Sequence, residues 1–321
     1  MMAVTPQQTQ KMSITKHCLV QAAILVIIFS FSITAANITV SQAFTDAIDA
    51  ATADYIVSTE WSTTLNTLGL VYFAAPTCSP KPTYPAKFDF TKTTMTMCYE
   101  LNPGYPWDAL HEKAGNMLLA TLNKKYATNI QPKFIQVDTA ALGYFNTLKT
   151  MTNNGSCDVA IASTNYDSVR ASQVHFQCKY GASSQGWLRS ALNASSIVIN
   201  QASDLNRTDV TIVLFKGSVH DDYAKANFPA AKIIRTAGNY ESYPYILNNM
   251  AHVMIADAVD LYNWLKNHTN DCASCSTKAF GDPSAFGSFT TNNIYSGAWS
   301  VSSSMNSMVL LLVLLVGFLL Q

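Results

Sequence analysis

The stretch "CDVAIASTNYDSVRASQVHFQCKY", residues 157–180, decides how this chain is read. Asp158 to Ala162 is a short, nearly continuous apolar run, the pattern of a strand buried on both faces. It gives way to small polar residues, and seven positions past Ser163 stands Arg170. An arginine just beyond the carboxyl end of a buried strand is either half of an ion pair or a fork for an anion, because open α/β sheets bind their ligands at that edge.

The flanking sequence repeats the same unit. Upstream, "TMTMCYEL" (94–101) predicts a strand, and "WDALHEKAGNMLLATLNKKY" (107–126) a helix with Leu110, Ala114, Met117, Leu118 and Leu122 on one face. "KFIQV" (133–137) is a strand, and "ALGYFNTLKTM" (141–151) a helix that aligns Leu142, Phe145 and Leu148. Downstream, "DVTIVLF" (209–215), "KIIR" (232–235) and "HVMIA" (252–256) predict strands, each followed by a helical pattern. Strands alternating with helices mean βαβ units and a mostly parallel sheet. The polar stretch 179–190 divides the pattern, so two α/β lobes joined there are expected rather than one continuous sheet.

Composition narrows the function. Lys and Arg number 20 and so do Asp and Glu, so the balanced charge gives no reason to expect a nucleic-acid partner. No glycine-rich nucleotide loop follows any predicted strand, and the histidines lack metal-ligand spacing. Neither a cofactor nor a metal is expected, and lone residues such as His175 and His252 read as satisfied side chains.

The two ends carry addresses. Lys11, Lys16 and His17 precede an apolar run from Leu19 to Ile33 and small residues up to Ala36, the pattern of a secretory signal peptide over 1–36. At the other end Met308 to Leu320 is apolar but spans only about 20 Å as a helix, too short to cross a bilayer. Ser296-Gly297-Ala298 and a polar spacer precede it, so 297–321 reads as a GPI-attachment signal with Ser296 as the attachment residue. The expected location is the outer face of the plasma membrane, held by lipid, with an unknown membrane partner.

The cysteines agree with an oxidising compartment. Cys78, Cys98, Cys157, Cys178, Cys272 and Cys275 allow up to three disulfides in fifteen pairings, among which sequence does not choose. Asn37, Asn154, Asn193, Asn206 and Asn267 begin N-x-S/T sequons and are expected at the surface as glycosylation sites.

Residues 94–290 resemble the extracellular solute-binding proteins of the two-lobed, type II kind, in the family 3 group that binds polar amino acids. That group reads D-V-x-I-A-G-x-T-x-T-x-E-R-x-x-x-V-D-F-S-x-P-Y. This chain aligns without a gap Asp158-Val159-Ala160-Ile161-Ala162-Ser163, Asn165, Asp167, Arg170, Val174-His175-Phe176 and Tyr180. "FKGSVHDDYAKANFPAAKIIR" (215–235) and "HVMIADAVDLYNWLKN" (252–267) are similar to the group's second-lobe stretches.

The resemblance implies that Arg170 holds a ligand carboxylate, helped by Ser163, Asn165 and the Gly217-Ser218 helix start. Asp257 would accept an ammonium, and Tyr105 and Trp107 would offer an aromatic platform. The departures are Ser163 for Gly, Asn165 for Thr and Asp167 for Thr; Asp167 would repel a carboxylate unless it turns away. Asp221 and Asp222 suit a helix cap as well as they weaken an anion site.

The order of elements also departs from the group. The return strand near "SAFGSFTT" (284–291) is followed almost at once by the terminal signal, while "FTDAIDAATADYIVSTEWSTTLNTLGL" (44–70) resembles the group's closing helix pair. A circular permutation is expected, with 71–92 as the new linker; the rival is a truncated domain with an unrelated N-terminal hairpin. The expected organisation is therefore 37–92 as N-terminal helices and linker, 93–180 as the lobe 1 core, 181–284 as lobe 2 and 285–296 as the return strand. The function implied is capture of a small polar solute by hinge closure. A surface protein that keeps the fold without a ligand, and a dehydratase-type enzyme on the same fold, stay open.

Overall fold

The computed structural model describes residues 37–70, 78–102, 106–191 and 197–295. The segments read as a signal peptide and a lipid-attachment signal, together with Ser296, Tyr105 and Asn193, lie outside them. No helix of the described residues is long and apolar enough to cross a membrane.

The described chain opens with β1 (Val40–Ser41), α1 (Gln42–Tyr55) and α2 (Thr59–Thr67). Ser41 and Ser58 start these helices by accepting the N–H of Phe44 and Trp61, each at 3.1 Å. One face of α1 is buried: Phe44, Ala47, Ile48, Ala51 and Tyr55 are all 3% exposed or less. Trp61 of α2 sets its ring edge against Tyr55 and Tyr180, which joins the helix pair to the first lobe's core.

The first lobe follows as β2 (Thr94–Glu100), α3 (Pro106–Tyr126), β3 (Gln131–Val137), α4 (Tyr144–Asn153), β4 (Val159–Asn165), α5 (Ser168–Ala171) and β5 (Val174–Phe176). β2 pairs in parallel with both β3 and β4, the arrangement expected of βαβ units. α4 begins later than its periodicity suggests. Gly143, with φ of 83°, precedes its first residue, so Leu142 falls outside the helix and is 55% exposed while Phe145 and Leu148 are buried.

The chain crosses to the second lobe along β6 (Gly181–Ser190). The second lobe comprises β7 (Thr211–Phe215), α6 (Val219–Asn227), β8 (Lys232–Thr236), α7 (Asn239–Leu247), β9 (Val253–Asp257) and α8 (Ala258–Asn267). The chain returns along the 17-residue β10 (Cys275–Thr291) and ends at β11 (Ile294–Tyr295).

The sheet runs β3-β2-β4-β10-β6-β9-β7-β8, with β5 on β10. The expectation of a polar linker at 179–190 is therefore corrected: 181–190 is a strand, and one sheet passes through both lobes by way of the antiparallel pair β6 and β10. Gly186 of β6 is small because a neighbour lies close. A Cβ on Gly186 would stand 3.0 Å from the Cα of Ala258. The pairing register breaks between Phe280 and Ser284, where Gly281, Asp282 and Pro283 stand outside the ladder.

Each lobe has its own core. The first gathers Met95, Met97, Leu118, Leu148 and Ile161; the second packs both faces of its sheet, Leu205, Ile212 and Val253 on one and Val213, Ile246 and Met254 on the other. Three disulfides pin the chain: Cys98–Cys157, from β2, and Cys78–Cys178 within the first lobe, and Cys272–Cys275, which closes on the first residue of β10. Asn37, Asn206 and Asn267 are exposed and Asn154 is half-buried, so all four described sequons reach the surface.

The first and last described strands meet. Val40 pairs in parallel with Ile294, and its N–H donates to the carbonyl of Asn293 at 2.9 Å.

Candidate functional site

The lobes face each other across a cleft lined from both sides, and its side chains come from strand ends and helix starts. Glu100 is the last residue of β2, Ser163 and Asn165 close β4, Phe215 closes β7, and Asp257 closes β9. Helix first turns add Trp107 from α3, Val219 and His220 from α6, Asn239 from α7 and Asp260 from α8, with the cap residue Ser218 beside them. This is the carboxyl edge of the sheet, where parallel strands release their chains and helices begin. The enclosed space is about 50 Å³, with Tyr144, Phe215, Trp107 and Phe286 as its apolar walls.

Direct bonds hold the lobes together around it. Trp107 Nε1 donates to Asp260 Oδ1 at 2.9 Å, Thr139 Oγ1 to the carbonyl of Ala237 at 3.0 Å, and the N–H of Tyr240 to Asn102 Oδ1 at 3.4 Å. The start of α4 has no side-chain cap. The N–H of Tyr144 instead donates to the carbonyl of Lys216 at 2.9 Å, and that of Phe145 to Gly217 at 3.4 Å. Orphan donors of a first-lobe helix are thus satisfied by second-lobe backbone. Gly143 and Gly217 make this contact possible, with φ of 83° and 71°, and a Cβ on either would stand about 3.1 Å or closer to the other lobe's backbone.

Several polar atoms of the cleft are buried without a partner among the described residues: Glu100 Oε2, Asn165 Nδ2, His220 Nδ1, Asn239 Oδ1 and Asp257 Oδ1. Such atoms are rare in folded proteins and mark places where a bound molecule or water completes the bonding. A roomier groove of about 580 Å³ along α8 and β10 has none of them. Convergence of buried polar atoms, rather than volume, singles out the interlobe cleft.

The acids of the cleft are perturbed. Burial pushes the Glu100 carboxyl up to about 8, aided by the charge of Asp108. Burial also raises Asp260 well above the usual carboxylate range, reinforced by the negative charge of Asp257 nearby. His220 Nε2 lies 3.4 Å from Asp257 Oδ2.

Glu100, His111 and Ser163 have the residue types of a nucleophile relay, but their surroundings oppose that chemistry. His111 Nε2 lies 3.2 Å from Ser163 Oγ, yet it already accepts the backbone N–H of Ser163 at 3.1 Å. Burial lowers the His111 pKa to about 3, too weak a base to take a hydroxyl proton near neutral pH. Glu100 Oε2 stands 4.0 Å from His111 Nδ1, an ion-pair separation; with one pKa near 8 and the other near 3, both groups are neutral at pH 7 and no ion pair forms. The three residues hold the end of β4 in place.

Of the ligand contacts expected from sequence, Asp257, Ser163, Asn165, Ser218 and Trp107 line the cleft. Arg170 and Gly217 are not part of the lining. The Arg170 guanidinium is 3% exposed and engaged on every side. Its Nε lies 3.3 Å from Asp167 Oδ2, Nη1 donates to the carbonyl of Asn165, and Nη2 reaches both the carbonyl of Gly217 and Asp222 Oδ2 of α6. Its face covers the Phe145 ring at 4.8 Å. The Gly217 N–H donates to Asp221 Oδ2 at 3.0 Å, and Ser218 Oγ accepts the N–H of Asp221, so Asp221 closes the helix cap, while Asp222 turns to Arg170.

Sequence reasoning missed Glu100, His220, Asn239 and Asp260. Glu100 ends its strand just as Asp257 does, a signal that was available. The others sit in first helical turns, where polar residues ordinarily serve the helix.

The fold, rather than the site, has counterparts among solved structures. An ancestral arginine-binding protein bound to glutamine matches with a TM-score of 0.50 at 14% identity, over 63% of this chain and 86% of that one. A mutant of ArgBP from T. maritima matches at 0.50 and 12%, over 62% and 82%. An ancestral amino acid-binding protein, a precursor of cyclohexadienyl dehydratase, matches at 0.48 and 17%, over 62% and 82%. The fold is that of the two-lobed, type II solute-binding proteins. No protein-family model and no curated protein matches the sequence. At these identities the solute-binding likeness is one of architecture: two α/β lobes, two crossing strands and a cleft between.

Proposed function

We propose that this chain is an extracellular solute-binding protein, tethered by a C-terminal lipid anchor, whose lobes close on a small polar solute without transforming it. One observation carries the reading: buried polar atoms of both lobes, lacking partners, converge on a cleft whose lobes are joined by two strands. Rotation about the broken register at 281–283 opens the cleft, and closure buries the solute and removes its water. Asp257, Ser163, Asn165, Ser218 and Trp107 are the contacts, while Arg170 and Gly217 act as a tie between lobes. The helix pair 42–67 completes the first lobe as a circularly permuted closing segment. The hydrogen bond from Val40 to Asn293 supports this, since it joins the two chain positions that an unpermuted order would connect.

The test uses protein produced from the full coding sequence. Thermal unfolding and small-angle scattering are followed in pools of amino acids, amines and organic acids. A raised melting temperature with a smaller radius of gyration in at least one pool supports capture. If no pool moves either quantity, the chain is a surface protein that keeps the fold without a ligand. Release from cells by a phosphatidylinositol-specific phospholipase tests the anchor separately.

A further inference from the structure

We propose that the cleft selects a small organic cation bearing N–H donors, an amine, and has no place for a carboxylate. The inference rests on the solute-capture reading and names what is captured.

Three observations lead to it. The first is charge. Among the described residues three carboxyls, Glu100, Asp257 and Asp260, line the cleft and no lysine or arginine does; burial holds Glu100 and Asp260 toward their neutral forms until a cation arrives to stabilise their carboxylates. Acids grouped at helix starts are common, so this alone is weak.

The second is the bonding the cleft still lacks. His220 Nε2 faces a carboxylate oxygen of Asp257; a proton on that nitrogen leaves Nδ1 with a lone pair. Nδ1 is buried without a partner, as are Glu100 Oε2, Asp257 Oδ1 and Asn239 Oδ1. His220, Glu100 and Asn239 are all more than nine-tenths buried. Three of these atoms accept hydrogen bonds, and Glu100 Oε2 joins them once a cation displaces the carboxyl proton, against one unpartnered amide donor among the described residues, Asn165 Nδ2. An ammonium presents three N–H donors and one positive charge, which this set can receive. The aromatic walls also suit a cation, whose charge is drawn to ring faces.

The third is that both halves of an anion site are consumed within the chain. Arg170 is covered by Asp167, Asp222 and two carbonyls. The N–H of Gly217 is spent on Asp221, and that of Ser218 on the carbonyl of Phe215. A solute carboxylate would find no free fork and would face Asp257 instead.

The space of about 50 Å³ is roughly that of three to five ordered waters. An amine head with a short carbon chain fits it, while longer ones require a wider cleft.

The experiment compares matched probes by isothermal calorimetry on protein from the full coding sequence. Ethanolamine, serine and glycolate form one set; propylamine, 2-aminobutyrate and butyrate form the other. The expected result is that the amines bind, the acids do not, and each amino acid binds no more tightly than its amine. Asp257→Asn is expected to weaken the amines by about a hundredfold. Glu100→Gln, which also preserves shape, serves if Asp257→Asn fails to fold, and is expected to weaken them too. Amino acids binding about tenfold or more tightly than their amines would overturn the inference and leave solute capture standing. Binding of the acids alone would do the same. If none of the six binds, the inference falls, and the wider solute pools decide separately whether capture stands.

Discussion

The indole Nε1 of Trp107 donates to Asp260 Oδ1 at 2.9 Å, from a first-lobe helix to a second-lobe helix, with both residues at most 5% exposed. A buried carboxyl has few ways to be satisfied, and here the closest donor belongs to the opposite lobe. Trp107→Phe keeps the ring and removes that donor. We expect a loss of about 1–3 kcal/mol, read by chemical denaturation, and a larger radius of gyration as the lobes separate. Asp260→Asn, whose neutral oxygen can still accept, should cost less. Equal losses with no change in size would show that the bond does not hold the cleft closed.

Arg170 spans the lobes, but its partners differ in kind. Asp222 is 61% exposed in its side chain, so its pairing with Arg170 is screened by water. The bond to Asn165 is buried and that to Gly217 part-buried, and the guanidinium stacked on Phe145 is itself 3% exposed. Arg170→Ala should therefore cost about 3 kcal/mol, Asp222→Ala below about 1 kcal/mol. A double-mutant cycle checks this; a coupling as large as the arginine loss would put the tie's strength in the exposed pair.

Glu100 and His111 predict opposite pH dependences. The folded Glu100 carboxyl titrates near 8, against an ordinary 4.5. Its effect is absent below the unfolded value and grows destabilising as pH rises from about 4.5 to 8, as the unfolded chain ionises first. Glu100→Gln should remove this, stabilising the protein at pH 8 by up to about 5 kcal/mol and not at pH 4. His111 is held near 3 against an ordinary 6.5, so its stabilising contribution is lost as pH falls from about 6.5 to 3. Unfolding curves from pH 4 to 9 for Glu100→Gln and for His111→Gln decide it. An unchanged pH profile in Glu100→Gln would mean the carboxyl is not kept neutral by burial.

The seam at Gly143 and Gly217 admits no side chain. A Cβ on Gly143 would sit 3.1 Å from the carbonyl of Lys216 and hold a left-handed backbone. Gly143→Ala should cost about 1–2 kcal/mol from backbone strain and shift the protein toward open forms. Scattering distinguishes this from Gly155→Ala, which is also left-handed (φ of 78°) but contacts only Ile38, and so should lose stability without opening.

The βαβ units were legible because their strands are short apolar runs and their helices carry one apolar face. Asp257 could be placed because it closes a recognisable strand, Ser163 and Asn165 because they stand at the matching positions of the family motif. β6 was not legible, because its Ser and Gly residues look like a linker until the approach of Ala258 shows why Gly186 is small. Asp260 looked like a helix-start acid, and only the opposing Trp107 makes it part of a cleft. Arg170 stood at the family's spacing, but the carboxylate of Asp222 comes from another lobe, and nothing local announces it.

β1 and β11 lie side by side on the first lobe, so the described chain enters and leaves the molecule at one place. The second lobe has no free end; it hangs from β6 and β10 alone. Whatever seizes the chain beyond Tyr295, whether a tether or a sensor chip, grips the first lobe only. Under the proposed closure, the first lobe then becomes the stationary frame and the swing falls to the second. A fluorophore on the outer face of α6 would sweep through that arc, whereas one on α3 would barely stir.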